Sequence, residues 1–362
     1  MRTADLFHTH THTHTRARPR DRTVDLVKSI AIFSVLTVHA SAPVLTGAET
    51  GGAPWLAGLL WSALSHAAVP LFLMASGALL LDPARELSLK KLYTRNFPRL
   101  LAALLAWAWG YKLVYLLGRR ELHASALVQA GKEVLLFQHE GHLYYLHMML
   151  LVYAFLPVTR LIARHAGRTL LAYLLGLWFL LGIIYPAVKP FWPFRSLTGI
   201  PAQWLMNMTY ASIGYTLLGY ALSHGAVPGG RRRLWLLTAL AGFLTAFCGT
   251  WIASSAAGQT DTHWLEGMGL GMCLLAAGIW GLCRSVPIGE RASRGLAFLS
   301  RASFCIFLSH IFFLKLFARL GLTALAGPPL LSVPLLALLL LACGCGVYWV
   351  LARIPGVRTW LI

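Results

Sequence analysis

A lysine and a histidine stand eleven residues apart in KSIAIFSVLTVHAS, part of the first long apolar segment, where Lys28 precedes His39. Each residue of an α-helix turns the chain by about 100°, so eleven residues return to within roughly 20° of the starting direction. The two side chains therefore share one helix face, about 16 Å apart along the axis at ~1.5 Å per residue. This spacing predicts a cation at one membrane edge and an imidazole, a candidate general base, at depth.

Such a pair suits a long anionic substrate lying along a channel, with its charge at the mouth and its reactive end deeper. Thioesters of coenzyme A have this shape, because their phosphates and their thioester stand at opposite ends of a slender arm. An ionisable residue inside a membrane segment is a functional-site hypothesis by default. The alternative is an ordinary lysine that reaches the headgroups and a histidine that hydrogen-bonds a neighbouring helix. Spacing alone leaves both open.

A second basic cluster occurs in TRNFPRLL at 94–101, which contains Arg95 and Arg99. Asn96 is a residue type that caps helices and Pro98 is tolerated in a first turn, so the pattern predicts a helix that begins here. Two guanidinium groups beside exposed helix amides form a phosphate-binding arrangement. The alternative is that these arginines only follow the preference of positive charge for the cytoplasmic side of membranes.

Other polar residues interrupt the apolar segments: His66, His142, His147, Ser309, His310 and Lys315. A lone histidine in such a segment is more often a hydrogen-bonding core residue than a catalyst. The connection 118–141 is the longest on its side of the predicted membrane and is long enough to cover a pocket. Its titratable residues include Glu121, His123, Glu133, His139 and Glu140.

The chain has six cysteines, which form neither a CxxC pair nor a loop framework. We therefore expect no disulfide and no zinc site. Four histidines alternate with threonine at 8–15, and such a tract is able to bind a metal weakly. The favoured interpretation is a disordered, low-complexity tail, so we expect no resident metal or cofactor.

The elements that must position these residues are membrane helices, because 57% of the 362 residues are hydrophobic and only 12% are charged. Apolar segments of about 20 residues recur along the chain, and each is long enough to cross a bilayer. Since backbone polar groups must be satisfied within lipid, we expect an all-α polytopic bundle. The ten predicted spans are 25–45, 57–81, 97–117, 142–162, 169–187, 205–224, 234–254, 264–284, 298–318 and 331–352.

The positive charge is distributed as a topology signal. Ten spans with a cytoplasmic N-terminus place most lysines and arginines in cytoplasmic segments, so we expect both termini in the cytoplasm. The formal charge of +19 is thereby explained by topology and by attraction to anionic lipids, and nucleic acid is not an expected partner. We predict a basic tail at 1–24, a membrane domain at 25–354 and a short cytoplasmic tail at 355–362, with no cleavable signal peptide.

Several segments, in order, resemble the acyltransferase-3 family of bacterial membrane O-acyltransferases. The family's hallmark is Arg or Lys followed by ten residues and His, which Lys28 and His39 match. Further matching segments are AAVPLFLMASGALLL, KKLYTRNFPRL, GHLYYLHMMLLVYAFLPV and SRASFCIFLSHIFFL. The family usually has Arg-x-x-Arg at the third span. In this sequence Arg99 fits the second arginine, the first position holds Asn96, and Arg95 stands one residue earlier.

The resemblance implies a multi-pass protein of the bacterial inner membrane that uses an acyl-CoA donor, most often acetyl-CoA, as co-substrate. It implies O-acyl transfer to a sugar hydroxyl of a surface or exported glycan, such as O-antigen, common antigen or exopolysaccharide, or of its lipid-linked precursor. Lys28, Arg95 and Arg99 are then expected to hold the donor phosphates, and His39 to be the catalytic base or a transient acyl carrier. We further predict that His142 and His310 line the cavity.

Two other classes of function remain open at this point. The bundle could be a transporter or flippase in which the intramembrane histidines relay protons, or a noncatalytic partner in glycan export. Transporters often contain inverted repeats and paired broken helices, and neither is clear in this sequence. Consumption of labelled acetyl-CoA by membranes that contain the protein distinguishes the enzyme from both alternatives.

Overall fold

The computed structural model of the protein describes residues 20–85, 87–199, 204–225 and 232–362. These residues form helices and connecting loops without a β-strand. The helices are α1 Arg22–Gly47, α2 Ala53–Ser65, α3 Ala68–Leu80, α4 Leu89–Arg119, α5 Ala124–Leu135, α6 Gly141–His165, α7 Arg168–Val188, α8 Met208–Ser223, α9 Arg232–Ala257, α10 His263–Arg284, α11 Glu290–Arg319, α12 Pro329–Leu351 and α13 Pro355–Trp360.

The all-α polytopic bundle is confirmed. Nine segments of the described chain, one of them α2 and α3 together, are long and apolar enough to cross a membrane. The one predicted span that is not among these nine, 205–224, corresponds to α8, which has 16 residues and is short against the ~20 that a full crossing needs. The predicted tail at 1–24 falls mostly on residues 1–19, which lie outside the described ranges, and α1 already begins at Arg22.

A proline divides one predicted span into two helices. The span 57–81 consists of two helices that meet at His66 and Ala67, because Pro70 has no amide hydrogen to donate to the His66 carbonyl four residues earlier.

The prediction that Asn96 caps a helix is wrong. Asn96 has helical dihedral angles and makes no capping bond, and Ser88 caps the helix instead by accepting from the Lys91 amide.

A wide turn, Leu92–Asn96, carries α4 past Pro98 without ending the helix. In this turn the amide of Phe97 bonds to the carbonyl of Leu92, five residues back instead of four. A second wide turn, Phe179–Ile184, precedes Pro186 in α7. Both turns relieve the conflict between a proline ring and the regular hydrogen-bond ladder.

Glycines allow two helix pairs to approach closely. A Cβ atom on Gly77 of α3 would lie 1.9 Å from the Thr216 carbonyl oxygen of α8, and one on Gly219 of α8 would lie 2.1 Å from the Met74 carbonyl oxygen. Helices α9 and α10 meet in the same way at Gly242 and Gly278. Gly271 and Gly278 of α10 therefore allow its close packing against α9.

The contacts of α1 with α11 place both helix starts at one end of the bundle. Arg20 donates to the Asp25 carboxylate and to the Ala297 carbonyl oxygen, and Arg22 donates to the Ile288 carbonyl oxygen. We call this the basic end, since α4 also begins there with Lys90, Lys91 and Arg95. The opposite end is the far end, where Trp55 of α2 donates to Thr260 before α10.

Candidate active site

Lys28 and His39 occupy the same face of one continuous helix. The Lys28 ammonium donates to the Ser300 carbonyl oxygen of α11 at 2.7 Å. Ten residues further along α11, His310 lies with its ring centroid 4.8 Å from that of His39. Because both residues of α1 contact α11, the predicted common face is confirmed.

A cavity of about 330 Å³ opens beside Lys28, within the size range of ligand pockets. It is formed by α1, α3, α4, α6 and α11 together with Ile362. We call it the basic cavity, and its lining comprises Lys28, Phe72, Ser76, Asn96, Arg99, Leu100, Tyr145, Met149, Tyr153, Arg301, Ser303, Phe304, Phe307 and Ile362.

The cations of the basic cavity come from three different helices. Lys28 and Arg99 are predicted from the sequence, whereas Arg301 is a cation that the sequence reasoning did not single out. The sequence signal for Arg301 is its place at the start of SRASFCIFLSHIFFL, the segment that also contains His310. Arg95 is exposed and does not line the cavity, and Asn96 faces it instead. The wide turn that precedes Arg99 determines which of these two side chains faces the cavity.

The segment after α12 closes one side of the basic cavity. Arg99 donates to the Ile362 carbonyl oxygen, and the Trp107 indole donates to that of Leu361 at 3.0 Å. Ile362 is 8% exposed. The predicted tail 355–362 thus contains the short helix α13 and packs against α4 beside the cavity.

Three imidazoles meet deeper in the bundle, and we call them the histidine cluster: His39 of α1, His142 of α6 and His310 of α11. Ring centroids are separated by 4.8 Å between His39 and His310, 5.2 Å between His142 and His310, and 6.4 Å between His39 and His142. The sequence places each histidine in an apolar segment, but only the tertiary fold brings them together.

The nitrogen atoms of the histidine cluster are only partly used. His310 Nδ1 lies 2.7 Å from the Phe307 carbonyl oxygen, which can only accept, so this nitrogen carries the hydrogen. The Nε2 atoms of His142 and His310 are buried and have no hydrogen-bond partner. Among the described residues His39 makes ring contacts but no hydrogen bond, and its side chain is only partly buried. The cluster thus offers unpaired nitrogens to a reacting group.

Tyr111 of α4 completes the surroundings of the histidine cluster. Its ring centroid lies 5.3 Å from that of His142, and its hydroxyl donates to the Leu308 carbonyl oxygen at 2.8 Å. Phe312 stacks on the Tyr111 ring with a centroid distance of 3.7 Å. The three imidazoles are not arranged to share a metal ion, since the described ranges contain no group of three His, Cys, Asp or Glu suited to one.

Aromatic rings separate the basic cavity from the histidine cluster, contrary to the prediction that His142 and His310 line the cavity. Phe72, Tyr145 and Phe307, which we call the aromatic barrier, line the cavity instead. The Phe307 centroid lies 5.3 Å from that of Tyr145, 5.6 Å from that of His142 and 6.1 Å from that of His310. A ligand in the cavity is therefore one aromatic layer away from the imidazoles.

The fold and these features define a multi-pass membrane protein with a basic cavity at one end of its core and an imidazole cluster beneath it. Residues 21–353 match the family model of the acyltransferase-3 domain, described as an acyltransferase domain. The chain belongs to the acyltransferase-3 family, and the protein is a membrane acyltransferase. No curated protein and no solved structure matches the chain significantly.

Proposed function

We propose that the protein transfers an acyl group, in the first place acetyl, from acyl-CoA to a sugar hydroxyl of a surface or exported glycan or its lipid-linked precursor. The observation that carries this proposal is the alignment of the basic cavity, the aromatic barrier and the histidine cluster along α1 and α11. That order corresponds to the order of the parts of an acyl-CoA, with phosphates first and thioester last.

In this proposal the cations of the basic cavity bind the donor. Lys28, Arg99 and Arg301 come from three helices and face one space, and guanidinium groups suit phosphate because they donate paired hydrogen bonds. Lys28 and Arg99 now donate to main-chain oxygens of Ser300 and Ile362, which a phosphate is able to replace. Arg301 takes the place that the sequence assigned to Arg95.

The chemical step belongs to the histidine cluster. An imidazole nitrogen of His39 removes the proton of the acceptor hydroxyl, whose oxygen attacks the thioester carbonyl carbon. The new carbon–oxygen bond forms as the carbon–sulfur bond breaks, and the departing thiolate takes up the proton that the imidazole removed. A route in which His39 first carries the acyl group has the same overall balance. His142 and His310 orient the groups around His39.

The arrangement also sets the expected topology. Positive residues favour the cytoplasmic side, so we place the basic end, and with it both chain termini, in the cytoplasm of a bacterial inner membrane. The donor then enters from the cytoplasm. The acceptor reaches the histidine cluster from the far end, and the acyl group crosses the bilayer inside the bundle.

Replacing the proposed base tests the function directly. We expect His39→Ala to lower acetyl transfer from labelled acetyl-CoA to glycan by at least about 100-fold, the scale of general-base catalysis. His165→Ala, at an exposed position of α6, is the matched control and should keep wild-type activity. Membrane insertion of both variants is checked by fractionation. Transfer by an inserted His39→Ala protein at the wild-type rate would remove His39 from the reaction.

A further inference from the structure

A three-residue ion bridge joins three helices at the far end of the bundle, and we call it the Glu140 bridge. The Tyr115 hydroxyl of α4 donates to the Glu140 carboxylate at 2.6 Å, and the Lys315 ammonium of α11 donates to its second oxygen at 3.1 Å. Lys315 also donates to the Tyr115 hydroxyl and lies 4.4 Å from the centre of that ring. One carboxylate thus ties α4 and α11 to the start of α6.

The Glu140 bridge lies directly beyond the histidine cluster and its neighbour Tyr111. Tyr115 is one helical turn from Tyr111, with ring centroids 6.4 Å apart. Glu140 precedes His142 by two residues, and Lys315 follows His310 by five, about 8 Å along α11. Of the four helices around the imidazoles, α4, α6 and α11 therefore also contribute to the bridge.

The Glu140 bridge is accessible to solvent at its lysine and largely buried at its carboxylate. Lys315 has 49% of its side-chain surface exposed, and Glu140 has 19%. Two further imidazoles lie beside it, since His139 Nε2 is 3.0 Å from His147 Nε2. Hydrogen-bond donors, acceptors and aromatic faces are therefore concentrated at the far end of the core.

The unpaired nitrogens beneath the bridge indicate that a ligand belongs there. His142 is 6% exposed and His310 is fully buried, and the Nε2 atoms of both have no partner. A buried polar atom without a hydrogen bond is costly. A polar substrate group that reaches the histidine cluster from the far end supplies the missing partner, and it meets the Glu140 bridge on its way.

We propose that the Glu140 bridge is the acceptor-binding site, in which a carbohydrate is held with one hydroxyl directed towards the histidine cluster. This inference rests on the proposed function. The Glu140 carboxylate accepts hydrogen bonds from sugar hydroxyls, Lys315 donates to their oxygens, and the Tyr115 ring packs against the apolar face of the sugar. Opening of the bridge by the acceptor frees these groups for the sugar.

A second ion pair on α4 provides a matched control. Lys112 pairs with Glu133 of α5, and Gln129 also donates to that carboxylate. These hydrogen bonds, with that of Lys112 the larger cause, hold the pKa of Glu133 below its usual range. The pair likewise joins α4 to the connection before α6, but none of its members contacts the histidine cluster.

The test compares Glu140→Gln and Lys315→Gln with Glu133→Gln in detergent-solubilised full-length protein. Labelled acetyl-CoA is the donor, and surface glycan plus lipid extract from a strain lacking the protein is the acceptor. We expect the acceptor KM to rise about tenfold in the two bridge variants, as for loss of a hydrogen bond to a charged group, with the donor KM unchanged. Glu133→Gln should leave both KM values at the wild-type level.

An unchanged acceptor KM in both bridge variants would overturn the inference. So would a fall in kcat with both KM values unchanged, or an equal rise in the acceptor KM of Glu133→Gln, because each indicates a purely structural tie. Failure of the proposed function is distinguishable from these results. In that case the wild-type protein itself transfers no label to glycan, and no variant comparison is needed to see it.

Discussion

The basic cavity and the histidine cluster lie along the same two helices but are built in opposite ways. In the cavity Lys28 and Arg99 donate to backbone carbonyls and remain partly accessible. In the cluster His142 and His310 are buried, and each keeps one nitrogen without a partner. Groups that exchange one acceptor for another are suited to binding, whereas an unpaired buried nitrogen is suited to proton transfer.

On the proposed function, the donor binds in the basic cavity and the chemistry takes place at the histidine cluster, with the aromatic barrier between them. A variant that affects one region should therefore change a different kinetic constant from a variant that affects the other. A higher donor KM at constant kcat reports lost binding, and a lower kcat at constant KM reports a transition-state effect.

The largest of these effects is expected at the barrier. Phe307 lines the basic cavity and contacts two of the clustered imidazoles. Phe307→Trp overfills this packed position, and overpacking costs about 1–3 kcal/mol. If the transferring group must pass this ring, a barrier raised by that amount slows transfer roughly 10- to 100-fold. CoA binding to the cavity should change less than about twofold, measured by calorimetry on detergent-solubilised protein.

Phe313→Trp is the control for this variant, since Phe313 is on the same helix but lines neither the cavity nor the cluster. It should retain activity. If Phe307→Trp transferred acyl groups at the wild-type rate, the route from cavity to imidazoles would not pass this ring.

The cavity arginine should produce an effect of similar size, but on the donor KM. On the proposed function, Arg99→Ala removes a hydrogen-bond donor to the phosphates of acyl-CoA, and a hydrogen bond to a charged group contributes about 1.5–3 kcal/mol. We therefore expect the donor KM to rise roughly 10- to 100-fold while kcat changes little. Arg99→Lys keeps the charge but loses the paired geometry, and its KM should fall between those of wild type and Arg99→Ala. A lower kcat at unchanged KM would contradict a binding role.

The smallest effect is expected at Arg95, which is exposed beside the same cavity. On the proposed function, Arg95 acts on the donor only through its electrostatic field at the mouth of the cavity, so Arg95→Ala should raise the donor KM less than about threefold. This rise should vanish in high salt, because exposed charges are screened there. An effect as large as that of Arg99→Ala would show that Arg95 contacts the donor directly.

Part of this structure follows from helical periodicity. The period of the α-helix is sufficient to place Lys28 and His39 on one face, and apolar length is sufficient to predict nearly all the spans. Periodicity within a helix cannot identify which faces of different helices meet. The convergence of His142 and His310 on His39, and the entry of Arg301 into the cavity, therefore became visible only in the fold.

Local departures from the regular helix account for most of the differences between the sequence predictions and the structure. The wide turn at 92–96 continues α4 past Pro98, and its phase directs Asn96 instead of Arg95 towards the cavity. A proline pattern alone fits a helix start as well as a wide turn. Likewise, Ile362 reaches the basic cavity through contacts with Arg99 and Trp107 that are remote in sequence.

The separation of binding from chemistry is tested most directly by the affinity of CoA for the inserted, purified His39→Ala protein, with Arg99→Ala measured beside it. The account predicts that His39→Ala binds CoA as tightly as wild type although it transfers no acyl group, and that Arg99→Ala binds CoA at least about tenfold more weakly. Loss of CoA binding in His39→Ala, with Arg99→Ala binding normally, would contradict it.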